Sequence, residues 1–585
     1  MKKKDDSMKK REDKASGVSR RDAIKTGLVA GAALVLTSRK SSAQVAGSTS
    51  TSSWGGGSGG SWSSGWGSYS DHDYRTDRSV ISPATTPFVE ALPIPAVLQP
   101  ISQLTPAAGE FQATGEAFRP AHQRWSEFLP QKLYEIHTRE AQWSFHPALP
   151  TQAVWGYNGT SPGPTIVAKY GEPIVVRNYN DLPANHVGYG IPSIITHLHN
   201  GHTASESDGF PADYYDTGLF KDHHYPNMLA GNDAREAMGT LWYHDHRMDF
   251  TSPNVYKGLA GFYLLFDNVD SGNENDTNPA ALRLPSGQYD VPLIFSDKLF
   301  DSTGQLYFDQ FNNDGFIGDK FLVNGKIQPT FKVARRKYRF RMLDGGPSRF
   351  YEFFLSNGQN FTQISNDGNL LPAPLTTQSV RLSVAERKDV IIDFSNVPIG
   401  TSVYLENRIE QHDGQGPEDR LLDHASAMPV LRFDVDRDPP TPDTSRVPAT
   451  LRSLPPVTLS EVVTTRTWTF DQQNGQWVVN NRLFDYNRVD AQVRKGTAEK
   501  WIIRNGSRRW SHPIHIHFEE YQILTRNGVA PSAQERARKD VLELHPNETV
   551  EIFIRFRDFT GRYVMHCHNT IHEDHAMMVR WDIVP

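Results

Sequence analysis

Four times this chain writes His-x-His, and each occurrence restricts the backbone that carries it. The pairs are His197/His199, His244/His246, His515/His517 and His566/His568. On a β-strand successive side chains alternate between faces, so residues i and i+2 point the same way. Each pair therefore offers two imidazoles on one side of a strand. Two pairs lie in the first half of the chain and two close to its end. Eight neutral imidazoles gathered at one place suit borderline cations such as copper or zinc, not calcium or magnesium.

The only cysteine of the 585 residues, Cys567, sits inside the last pair, in the run H-C-H-N-T-I-H-E-D-H-A-M-M from His566 to Met578. One cysteine excludes an internal disulfide framework. A lone cysteine is ordinarily a small buried hydrophobe, but here its neighbours matter. If His566 and His568 face one site, Cys567 faces the opposite side of the strand, where its thiolate can bind a second metal. His572 and Met577 follow at five-residue steps and can loop back to it. His512, which precedes a proline and stands outside the His515/His517 pair, can complete the set. One thiolate, two imidazoles and a weak thioether are the ligands of a blue-copper electron-transfer site. Cys567 would then connect the two sites through its own backbone.

A chain of this length exceeds one ordinary domain. The pattern Asn158–Asn178 (N-G-T-S-P-G-P-T-I-V-A-K-Y-G-E-P-I-V-V-R-N) returns as Asn324–Asp344 and, more loosely, as Asn480–Asn505. Spacings of about 160 residues imply three homologous units of domain size. The units read as β. Val550, Ile552, Ile554 and Phe556 alternate with polar residues, and Asn474-Gly475 between two apolar runs signals a hairpin. The Pro-rich stretch Asp438–Thr444 separates the second unit from the third. Many short strands in repeated units predict an all-β chain of antiparallel sandwiches.

The first 43 residues carry a net charge of +7, which leaves about −13 for the remainder. That balance does not suggest a nucleic-acid partner. Arg20-Arg21 before the modest apolar run Thr26–Thr37 resembles a twin-arginine export signal. The run is too short for an ordinary membrane span, so a stable membrane anchor is not expected. Residues 44–90 begin with a Gly/Ser/Trp-rich stretch that cannot bury enough apolar surface to order itself, and read as a flexible linker.

The phrases H-L-H-N-G-H-T-A-S-E-S-D-G, L-W-Y-H-D-H-R-M, W-S-H-P-I-H-I-H-F and H-C-H-N-T-I-H-E-D-H-A-M-M resemble the four copper motifs of the multicopper oxidases. Within that family the likeness is to bilirubin oxidases and bacterial spore-coat laccases, and it covers roughly Tyr134 to Pro585. It implies three cupredoxin-like Greek-key β-sandwiches at 91–275, 283–437 and 455–585, after a signal at 1–43 and the linker at 44–90. It also implies four coppers. A type 1 copper would take His512, Cys567, His572 and Met577. A type 2 copper would take His197 and His515. A type 3 pair would take His199, His244, His246, His517, His566 and His568. Asp208 and Glu573 stand where the family places acids that feed protons to oxygen, and Trp510 where bilirubin oxidases place a tryptophan at the substrate edge. His202, His223, His224, His545 and His575 lie near the motifs without a ligand role. Asp290–Lys298 and Ala385–Phe394 resemble the family's middle domain and read as strand and interface structure.

The implied activity is one-electron oxidation of phenols, aromatic amines or bilirubin-like donors, coupled to reduction of dioxygen to water. The implied partners are dioxygen, a small organic donor and the twin-arginine machinery, with a periplasmic or extracellular destination. Two other readings stand beside it. One is a metal oxidase acting on Mn(II) or Cu(I), although the ten methionines form no methionine-rich insertion of the kind cuprous oxidases carry. The other is an exported cupredoxin-fold scaffold, a class whose members lack the copper ligands that this chain keeps.

Overall fold

The computed structural model describes residues 80–585. The segment expected to be a twin-arginine-type signal and the Gly/Ser/Trp-rich stretch after it, up to residue 79, lie outside the described residues. The described chain is almost wholly β, arranged as three two-sheet sandwiches.

In the first sandwich, strands Lys132–Trp143, Gln152–Tyr157, Ile174–Asn180 and Phe220–Tyr225 face a sheet of Ile166–Lys169, Thr196–His199, Thr240–Asp245 and Ala260–Phe266. Tyr134, Ile136, Trp155, Leu198, Leu241 and Tyr263 fill the space between them. The second sandwich runs from Asp290–Phe300 to Met428–Arg437 around a core that includes Phe295, Phe340, Phe353 and Phe433. The third runs from Val462–Gln473 to Met578–Val584. Val550, Ile552, Ile554 and Phe556 all enter its core, as their alternation predicts. Asn474 and Gly475 form a two-residue turn with φ of 51° and 76°, the doubly left-handed geometry of a type I′ hairpin.

The internal repeat has a concrete structural basis. Asn158, Asn324 and Asn480, which open the three copies, all hold φ near +50°. The side-chain oxygen of each accepts a backbone N–H from the first strand of its own sandwich, at 2.8 Å in every case: His137, Ile294 and Thr469. Asparagine tolerates the left-handed conformation and supplies the acceptor.

The sandwiches are not purely antiparallel. Lys132–Thr138 lies parallel to Ile174–Asn180, and the second and third units repeat this with Asp290–Phe295 against Arg339–Asp344 and Arg466–Phe470 against Trp501–Asn505. In the first unit the intervening chain includes Ile166–Lys169 of the opposite sheet, so it crosses over before returning, which is what a parallel pair requires. The period-2 pattern shows that a segment is a strand but carries no record of its neighbour's direction.

Residues 80–92 also depart from expectation. Phe88 N–H donates to Gln328 O and Leu92 N–H to Thr330 O, and Leu92 is buried in the second sandwich's core. The flexible reading of 44–90 therefore does not hold for its last residues, and Ala91–Leu92 belong with the second sandwich rather than the first. No helix among the described residues is long and apolar enough to cross a membrane.

Candidate metal centre

Strand pairing sets the histidines against one another. Thr196–His199 pairs with Thr240–Asp245 so that His197 lies opposite His244. His512–Ile516 pairs with Gly561–Cys567 so that His515 lies opposite His566 and Ile514 opposite Cys567. His246, His517 and His568 sit just beyond strand ends, but their N–H groups still donate to Ile195, Val564 and Pro513 carbonyls, which keeps them in register. All ten predicted ligand histidines, with Cys567 and Met577, are at most 1 % exposed.

Three tight groups result. Nε2 atoms of His246, His517 and His566 stand 3.2 Å apart on every side. The centre of such a triangle is about 1.8 Å from each corner, close to the roughly 2.0 Å of a metal–imidazole bond. His199, His244 and His568 form a second group, with donor atoms within 4.8 Å of one another. In this group His199 Nδ1, His244 Nε2 and both nitrogens of His568 have no hydrogen-bond partner among the described residues. His197 Nε2 and His515 Nε2 face each other at 3.4 Å. Buried polar atoms are seldom left orphaned, and three lone pairs at 3.2 Å repel unless a cation lies between them. The donor set therefore fits metal ions.

The outer nitrogens explain why the inner ones converge. His197 Nδ1–H donates to Asp208 O, His515 Nδ1–H to Asp540 O and His244 Nδ1–H to Asp245 O. His199 Nε2 lies 3.0 Å from Asp540 Oδ1, so Nδ1 is the nitrogen left to face inward. Such partners fix tautomer and ring orientation. Asp208 Oδ2 takes His517 Nδ1 at 2.8 Å. Glu573 places Oε1 3.2 Å from His246 Nδ1 and Oε2 3.1 Å from His566 Nδ1. Both predicted carboxylates thus touch the cluster. They differ electrically: burial pushes the Asp208 carboxyl well above its ordinary range. Burial acts the same way on Glu573, but the His566 and His246 imidazoles outweigh it and keep it ionised.

Burial also holds His197, His199, His244, His246, His512, His515, His517, His568 and His572 neutral. It lowers His244 to about 4 and His246 and His512 to about 3. A neutral imidazole is the ligating form. In the metal-free protein the same shifts cost stability in acid. Below the unfolded value of about 6.5 the unfolded chain binds protons that the folded chain refuses. Stability is thus full above that pH and falls as pH drops toward 4, by on the order of 1 kcal/mol per pH unit for each imidazole. Asp208 and Asp540, whose burial raises them, act in the opposite sense, but the shifted histidines outnumber them. Denaturant unfolding of metal-free protein is expected to give a clearly lower midpoint at pH 5.5 than at pH 7.5.

On the other face of the last strand, Cys567 Sγ points into the third sandwich's core, as alternation requires. It lies 3.5 Å from His512 Nδ1 and 3.6 Å from His572 Nδ1, and those nitrogens are 3.3 Å apart. His572 Nε2–H donates to Asp314 O at 3.0 Å. The Met577 backbone is tied to both other residues: its N–H donates to His572 O and its carbonyl accepts from Cys567 N–H. Burial pushes the Cys567 thiol well above its ordinary value, so the thiolate needs a cation beside it. Trp510 is half-buried and does not reach this group first. Its ring meets Trp477 edge-on at 5.2 Å, and Trp477 in turn lies 3.9 Å from the His572 ring. His575 bonds Asn313 instead of joining the ligands.

Sequence profiles of the multicopper oxidases match residues 138–269 and 456–585, the segments that carry the two halves of this centre. The chain is 34 % identical to a bilirubin oxidase of Albifimbria verrucaria over 86 % of its own length and 82 % of that protein's. It is 32 % identical to a laccase of Bacillus subtilis over 85 % of its own length and 98 % of the relative's. The chain belongs to the multicopper oxidase family. A crystal structure of a multi-copper oxidase from Pediococcus acidilactici superposes with a TM-score of 0.69 at 24 % identity, covering 88 % of this chain and 95 % of that one. Copper is therefore the metal that these converging donors hold, in type 1, type 2 and type 3 sites.

Three residues at the centre had no signal in the sequence. Trp477 was visible only as part of a hairpin. Asp540 lies far from every histidine motif except in space. Arg387, in a segment expected to be interface structure, donates to both oxygens of Asp540 at 2.7 and 2.6 Å. Each is placed by long-range packing that no local pattern records.

Proposed function

We propose that this protein is an exported oxidase that takes electrons singly from phenolic, aromatic amine or bilirubin-like donors and delivers them to dioxygen, forming water. The observation that supports it most is the pair of buried ligand groups back to back on one strand, with Cys567 in one and His566 and His568 in the other. In this reading His512, Cys567, His572 and Met577 hold the type 1 copper. His197 and His515 hold type 2 copper, and His199, His244, His246, His517, His566 and His568 hold the type 3 pair. Copper bound in these sites supplies one-electron acceptance and the reduction of dioxygen.

The protein's own groups do the rest. Half-buried Trp510 stands between solvent and the fully buried Trp477 that meets His572, so a flat donor can pack against Trp510. Cys567 is bonded through single peptide units to both neighbouring histidines, a short covalent connection between the sites. Asp208 holds a proton at Oδ and the ionised Glu573 can accept and pass one on at Oε, both beside the cluster. The Arg20-Arg21 motif and the short apolar run after it support twin-arginine export to the periplasm or exterior. Such export carries folded, metal-loaded chains.

Oxygen uptake by copper-loaded protein, ranked over bilirubin, a methoxyphenol, Mn(II) and Cu(I), tests the donor class. Organic donors are expected to be fastest, and a ranking led by Mn(II) or Cu(I) would replace this reading with a metal oxidase. Met577→Leu is expected to raise the type 1 potential, since the axial ligand tunes it. Redox titration should show a rise of more than about 59 mV, a tenfold change in a one-electron equilibrium.

A further inference from the structure

The middle sandwich carries none of the predicted copper ligands, yet one of its side chains reaches the edge of the cluster. Arg387 lies on strand Arg387–Asp393 and is fully buried. A guanidinium has five N–H donors in a fixed plane, and all five are used. Nη1 and Nη2 donate to the two carboxylate oxygens of Asp540, in the third sandwich, at 2.7 and 2.6 Å. Nε donates to Thr240 O at 3.2 Å, at the start of the first-sandwich strand that carries His244. The remaining donors go to Asp367 O at 2.9 Å and Ala385 O at 3.2 Å, within the middle sandwich. One side chain thus ties the three sandwiches together at a single point.

That point controls two histidines. Asp540 Oδ1, held by Arg387 Nη1, is also 3.0 Å from His199 Nε2. The Asp540 carbonyl accepts from His515 Nδ1 at 3.0 Å. The two imidazole rings stack with centroids 3.6 Å apart. We propose that Arg387 is a positioning residue for the copper cluster. By gripping Asp540 it fixes which nitrogen of His199 faces the metal and where His515 presents its own. This rests on the copper assignment given under Proposed function. Without Arg387, Asp540 can rotate about χ1 and χ2 and release His199 Nε2, and both ring flip and tautomer become free.

Arg387→Lys provides the test. An ammonium on a flexible stem cannot grip a carboxylate with two parallel hydrogen bonds or reach the other carbonyls at the same time. Loss of an outer-shell partner typically costs 10–100-fold in metal affinity. Cluster copper in Arg387→Lys is expected to bind about 10–100-fold more weakly, with a changed type 2 electron paramagnetic resonance signal. The blue absorption should persist, because no type 1 ligand touches Arg387. Arg381→Lys is the control. Arg381 also joins the middle and third sandwiches, through Glu543, but contacts no ligand histidine.

Selective loss of cluster copper in Arg387→Lys, with Arg381→Lys like the parent, supports the proposal. Unchanged cluster affinity in Arg387→Lys overturns it. Equal weakening in both variants, or blue and cluster copper lost in proportion as the melting temperature falls, overturns it in favour of plain structural support. Failure of the parent protein itself to bind cluster copper would instead sink the underlying copper assignment, and this inference with it.

Discussion

Cys567→Ser is expected to abolish donor-driven oxygen uptake and the blue absorption while leaving the cluster side of the strand loaded. Cys567 Sγ is the one thiolate within reach of His512 and His572, 3.5 and 3.6 Å away. A serine hydroxyl is smaller, harder and not ionised at neutral pH, so it is a poor substitute at a site selective for soft ligands. The loss should exceed the roughly 100-fold that removal of an outer-shell partner causes. His566 and His568 point to the opposite face and keep their backbone positions, so the type 2 signal should survive. Spectra of the purified variant check both halves. A variant that stays blue, or that still takes up oxygen at the parent rate, would show that Cys567 is the buried hydrophobe a lone cysteine usually is.

Glu573→Gln carries the second large effect. Its carboxylate spans His246 and His566 from the outside, at 3.2 and 3.1 Å, and is kept ionised inside the protein by those imidazoles against the pull of burial. An ionised acid there can take up and release protons beside reduced oxygen, whereas an amide of the same shape cannot. General acid–base groups contribute about 10²–10⁴-fold, and turnover at saturating donor is expected to fall by that range. Glutamine also replaces one acceptor with an N–H donor facing a ring nitrogen, which can weaken copper. Copper analysis separates the effects. A rate loss in protein that still holds all its copper is a proton-supply effect. A loss that tracks missing copper makes Glu573 a positioning residue like Asp540.

How much of this was legible in the sequence depended on the range of the information. Alternation is local, so the sequence alone predicts that His566 and His568 share a face and that Cys567 turns away from it. The Asn474-Gly475 hairpin is local too. The left-handed asparagines at 158, 324 and 480 show why the repeat survives: one residue type supplies both the turn and the cap. The parallel strand pairs were not legible, because a strand's sequence does not name its neighbour. The docking of Phe88 and Leu92 on the second sandwich was obscured by the Gly/Ser run before them. Asp540, Arg387 and Trp477 escaped because each acts on a ligand far from it in sequence. The motifs alone point to Asp208 and Glu573, and the structure adds that both contact ligand histidines directly.

Two metal sites that share one strand and work as one oxidase must pass every donor electron to dioxygen. The number of donor electrons consumed per dioxygen, followed in protein with its full copper complement, tests this most directly. Four electrons for each dioxygen, water as product and no accumulating hydrogen peroxide are expected. Two electrons with peroxide released, or no uptake from protein that demonstrably holds about four coppers, would contradict it.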